Sequence, residues 1–108
     1  MKTVIIMRKY WGQYLMRNDE GKKCCLGFVS EAYGVPPEKT LNKEFPCQLR
    51  HNVPKDFPDW LLTNHHHHDV AIASGINDDM VLSLKEKEAQ LKELFAKHNI
   101  RLIFRGKP

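Results

Sequence analysis

Long hydrophobic runs are missing from this chain, and nothing in it approaches the ~20 apolar residues that a membrane-spanning helix requires. The longest apolar stretch near its start, Val4-Ile5-Ile6-Met7, stops at Arg8-Lys9 and is too short for a secretory leader. Cysteine is scarce and odd in number: Cys24, Cys25 and Cys47. Three thiols without a leader suit a reducing cytoplasm better than a disulfide framework, so a cytoplasmic protein is expected. The six glycines are scattered, with no G-x-x-x-x-G-K-[ST] or G-x-G-x-x-G phosphate loop. There is no block of Lys and Arg, no internal repeat, and no low-complexity segment except His65 to His68. These absences exclude a membrane protein, a collagen or coiled-coil rod, and a large multi-step enzyme.

What remains is an ordinary soluble balance in 108 residues, 42% hydrophobic and 28% charged, enough for one domain with one core. The net charge of +4 is uneven. Residues 1–55 carry ten basic and five acidic groups, and residues 56–108 carry seven and eight, so a +5 half is joined to a −1 half. A basic half points to an acidic partner, either a protein surface or nucleic acid. The cations that would serve it are Arg8, Lys9, Arg17, Lys22 and Lys23.

The local patterns predict an α+β domain in which an N-terminal β-hairpin packs on two helices. Asn18-Asp19-Glu20-Gly21 lies between two short apolar or aromatic runs and reads as a turn, which places strands near 13–17 and 22–25. A short element over Thr3–Tyr10 precedes them. Leu26, Val29 and Tyr33 recur at helical spacing, and Gly34 with Pro36-Pro37 ends that helix. Residues 36–59 hold five of the six prolines and read as a long irregular loop, a common place for binding function. Trp60-Leu61-Leu62 anchors its far end. Val70–Ser74 is too short for its pattern to separate helix from strand. The strongest element is a C-terminal amphipathic helix over 84–98. Ser83 and Glu86 form an S-x-x-E capping box, and Leu84, Leu91, Leu94, Phe95 and His98 make its apolar stripe. Asn99 stops it, and Ile100–Phe104 follows as a short strand.

The run Asn18-Asp19-Glu20-Gly21-Lys22-Lys23-Cys24-Cys25-Leu26-Gly27-Phe28-Val29, with Tyr33-Gly34-Val35 after it, resembles a family of small bacteriophage and prophage proteins. Val53-Pro54, Phe57 and Trp60-Leu61 are similar to that family's Pro-containing segment, and Ile76-Asn77-Asp78-Asp79 to its Asn-Asp box. The pieces touch about half the chain. The resemblance implies no catalytic residue. It implies a phage accessory product that binds and inhibits a host factor, in host takeover or counter-defence, within the host cytoplasm.

Other chemistries compete with this reading. Cys25-Leu26-Gly27-Phe28-Val29 is also similar to the nucleophile helix of papain-like cell-wall peptidases, in which a Cys at a helix N-terminus pairs with a later His, here His68. Cys24 and Leu26 stand where those peptidases favour Asp and Ser, and Asp69 separates His68 from the following apolar run. Cys47-x3-His51 has metal-ligand spacing and, with Cys24, would supply part of a zinc site. Finally, Tyr10, Trp11 and Tyr14 beside the basic groups would suit a small signalling nucleotide. For the adjacent cysteines the plainest role is packing at a junction, with Gly27 allowing close approach.

Overall fold

Alternation of buried and exposed side chains explains the sheet. The computed structural model describes residues 1–63 and 68–108. In β1 (Lys2–Met7), Val4 and Ile6 turn inward while Thr3, Ile5 and Met7 turn out. In β2 (Ile100–Arg105), Ile100, Leu102 and Phe104 turn inward and Arg101 and Arg105 turn out. The two strands pair in parallel, in a register running from Lys2↔Ile100 to Met7↔Arg105. Parallel neighbours need a crossover, and nearly all of the remaining chain supplies it. After β1 come a 3-10 turn (Arg8–Tyr10), α1 (Cys25–Ala32), α2 (Pro37–Thr40), a second 3-10 turn (Pro46–Leu49), α3 (Asp59–Leu62), α4 (His68–Asp78) and α5 (Leu84–Ala96).

Helices α1 and α5 pack on the inner face of the sheet, and α4 packs against both helices. Val4, Ile6, Leu26, Val29, Leu61, Val70, Leu91, Phe95 and Ile100 belong to one continuous buried cluster. The fold is α+β, as the sequence patterns predict.

Several elements match those patterns closely. The Ser83 hydroxyl accepts from the Glu86 amide at 3.1 Å, and the Glu86 carboxylate accepts from the Ser83 amide at 3.1 Å. Asn99 takes the left-handed conformation, φ 62°, and ends the α5 segment as expected. Gly34, at φ +102°, ends α1. Val70–Ser74 is helical, as part of α4. Leu84, placed on the apolar stripe by its spacing, lies on the exposed first turn instead. The segment 36–59 is less irregular than its prolines suggest, because α2 and the second 3-10 turn lie within it and Leu49 and Phe57 anchor it in the core. The side chains of the low-complexity run His65 to His68 lie outside the described residues.

The N-terminal hairpin is the main correction. Its turn is present: the Asn18 side chain accepts from the amides of Glu20 and Lys22, each at 2.9 Å, and Gly21 has φ +81°. Its arms, however, form no ladder with each other. Met16 N donates to Lys43 O at 2.7 Å and Asn42 N to Arg17 O at 2.8 Å, while Lys23 N donates to Tyr10 O at 2.8 Å. Tyr14 has a positive φ of 68°, which breaks the extended path of the first arm. The Met16 carbonyl also faces helix α1: a Cβ at Gly27 would lie 1.8 Å from that oxygen. The first arm is thus pressed under α1 and bound to the 41–43 segment, and the second arm joins it through single bonds, Cys24 N to Leu15 O at 3.0 Å and Asn18 N to Lys22 O at 2.9 Å, rather than a ladder.

Candidate functional site

Several of the residues singled out in the sequence meet at the start of α1. Gly27 has no side chain, so the helix settles directly onto the Met16 carbonyl. That contact brings the amide of Cys25 to the side chain of Asn77, near the end of α4, where Asn77 Oδ1 accepts it at 2.9 Å. The same oxygen accepts from Trp11 Nε1 at 2.6 Å. Asn77 Nδ2 donates to Gly12 O at 3.0 Å and to Asp78 Oδ1 at 2.9 Å, and Asp78 Oδ1 also accepts from the Tyr14 amide at 2.9 Å. Lys87 reaches across from α5 to donate to Asn77 O at 3.0 Å. The Cys-Cys-Leu-Gly box, the Asn-Asp box and the aromatic segment before them therefore form one hydrogen-bonded junction.

The Pro-containing segment that ends in Trp60-Leu61 packs elsewhere in the core. Phe57 meets Tyr33 edge-on at 6.0 Å, and Trp60 lies against Phe95 at 5.6 Å. His98 stacks on Trp60 at 3.8 Å, and its Nε2 lies 2.6 Å from Asp69 Oδ2, which ties the end of the α5 segment to the start of α4.

The thiols sit in apolar surroundings. Cys25 is fully buried, and its Sγ donates to Ala73 O at 3.8 Å. Burial raises its pKa well above the ordinary thiol value, helped by neighbouring Cys24 and Asp78. Cys24 is pushed up to about 11, mainly by burial, although backbone hydrogen bonds from Gly27 and Leu26 act in the opposite sense. A nucleophile requires a lowered pKa and access to substrate, so neither environment favours a thiolate. The Cys25–His68 pairing lies outside the described side chains. Cys24 is buried, Cys47 half-buried and His51 exposed. Among the described residues, no three His, Cys, Asp or Glu side chains are grouped to hold a metal ion.

The five basic residues divide into two kinds. Arg8 donates to Glu88 with Nε at 2.8 Å and Nη2 at 2.7 Å, and its Nη1 donates to Gly106 O at 2.9 Å. Arg17 grips Glu31 with Nε at 2.9 Å and Nη2 at 2.8 Å. Lys23 also reaches Glu31, at 3.2 Å, and lies 4.3 Å from the centre of the Phe28 ring. Thr40 donates to the same carboxylate at 2.6 Å. Burial opposes ionisation of Glu31, but hydrogen bonds from Arg17 and Thr40 and the charge of Lys23 outweigh it and hold the carboxyl below its usual range. Lys9, 4.9 Å from the Tyr10 ring, and Lys22 are exposed.

Tyr10, Arg17, Gly21 and Lys23 line an open cleft of about 250 Å³. Lys9 and Lys22 are chain neighbours of its lining residues. Glu31, which holds two of the cations in place, gave no signal in the sequence because its partners lie 14 and 8 positions away with no shared motif. Compared with protein-family models, curated proteins and solved structures, the chain matches none of them.

Proposed function

We propose that this chain is a phage-type accessory protein that works by binding and inhibiting a host protein, without catalysis, in the host cytoplasm. The observation that carries the reading is the cleft of Tyr10, Arg17, Gly21 and Lys23, in which Glu31 fixes the cations from behind. A carboxylate that orients Arg17 and Lys23 limits the side-chain entropy a partner would have to remove. Lys9 and Lys22 add charge that steers an acidic partner towards it. The cysteines support the same reading, since burial of Cys24 and Cys25 suits packing better than nucleophilic attack.

Among the five cations, Arg8, Arg17 and Lys23 are held in ion pairs. Reversing Arg8, Arg17 or Lys23 would break an ion pair, whereas Lys9 and Lys22 are exposed. The Lys9→Glu/Lys22→Glu variant should keep the wild-type melting temperature. In affinity purification from producing cells, wild type should retain a stoichiometric host protein that the variant loses. Equal recovery by both removes the cleft from consideration. A retained small nucleotide, in place of a protein, would favour sequestration of a signalling molecule by the same cations and Tyr10.

A further inference from the structure

The outer face of the sheet has an unusual exposure for its topology. Parallel strands occur almost only where both faces are covered, and a pair of strands needs packing on it to be stable. Here the inner face rests on α1 and α5, while the outer face is open among the described residues. The register places Thr3 beside Arg101, Ile5 beside Ile103 and Met7 beside Arg105 on that outer face. Ile5 remains 42% and Met7 37% exposed, and Ile103 is half-buried. An apolar centre is thus bracketed by two guanidiniums, about 13 Å apart along the strand.

Arg8 and Arg17 each hold a carboxylate, but among the described residues neither Arg101 nor Arg105 has an ion-pair partner. Arginine at both ends of an apolar patch, rather than lysine, suits bidentate capture of carboxylates.

We infer that this face is a docking surface for an acidic amphipathic helix of a partner protein. The inference rests on the binding reading above and identifies a second surface for it. Helices are the usual cover of a parallel sheet. An apolar stripe at i, i+4 and i+7 would lie on Ile5, Met7 and Ile103. Carboxylates about seven residues apart lie two turns apart on one flank of a helix, about 10.5 Å, and the long arginine side chains close the remaining distance to Arg101 and Arg105. Charge argues against the other occupants. Two copies placed face to face would bring four unpaired guanidiniums together, and a nucleic-acid backbone would leave the apolar centre without a counterpart.

The test uses the full chain carrying a photo-crosslinking side chain at Thr3 or, separately, at Lys22, in bacterial cells that produce it. The Thr3 probe should give one protein adduct, mapped to an acidic helix. The Arg101→Glu/Arg105→Glu variant should reduce that adduct at least about tenfold, with an unchanged melting temperature. In vitro, a helical peptide with a leucine stripe flanked on one side by glutamates about seven residues apart should bind wild type, and its lysine counterpart should bind only the variant. A Thr3 adduct to nucleic acid or to a second copy, or peptide binding indifferent to the charge swap, overturns the inference. An adduct from Lys22 alone overturns it while leaving the binding function standing. No adduct from either position overturns both.

Discussion

Gly27 and Gly75 are both helical glycines, yet their surroundings give substitution opposite signs. At Gly27 a Cβ would meet Met16 O at 1.8 Å and Met16 C at 2.6 Å, backbone atoms that cannot swing aside. At Gly75, within α4, nothing among the described residues lies within 4 Å of the added atom. Gly27→Ala should therefore cost about 3 kcal/mol or more by forcing α1 off the first arm. Gly75→Ala should stabilise by about 0.5–1 kcal/mol, since alanine gives up less backbone freedom in a helix. Urea unfolding of the two variants decides both signs. The Gly27 site was legible in the sequence as a close approach of the helix to the 13–25 segment, although the Met16 carbonyl as the atom it meets was not. Asn77 was legible only as part of a box. That it satisfies Trp11, Gly12 and Cys25 together depends on α4 and the first arm meeting in space, and no spacing rule carries that information.

Elements whose determinants are local were the ones the sequence revealed. α5 shows its start in Ser83 and Glu86 and its stop in Asn99, all within one or two turns of the helix ends. The hairpin failed because a turn signal says where the chain reverses and not which neighbours the arms will take. The 13–17 arm found Lys43 and α1, which are contacts between distant positions. The cluster around Glu31 binds that arm, α1 and α2 into a unit through Arg17, Lys23 and Thr40. Its folded carboxyl pKa is below the ordinary 4.5. The stability it contributes is fully present above the unfolded value and is lost as pH falls through the lowered folded value. Measured by urea midpoints across the acid range, wild type should lose stability below about 4.5 more steeply than Glu31→Gln, which has no such proton to take up. Identical slopes would remove Glu31 from the acid transition.

At the scale of the whole molecule, the pairing of β1 with β2 joins positions 98 apart in the sequence, Lys2 with Ile100. Both strands were visible as apolar stretches, but their parallel pairing was not, because alternation along each strand is the same for either direction. Removing residues 100–108 would take Ile100, Leu102 and Phe104 from the core and uncover Val4 and Ile6. Such a chain should show no cooperative thermal transition by circular dichroism, whereas a merely frayed sheet would retain one. The same pairing has a consequence for biosynthesis. β1 leaves the ribosome well before β2, carrying Val4, Ile5 and Ile6 with no strand to join, and stays so until β2 follows it out. During all of that interval the nascent chain holds a sticky, unpaired segment, so its yield in the cell depends on how well translation and chaperones protect β1 until the other half of the sheet arrives.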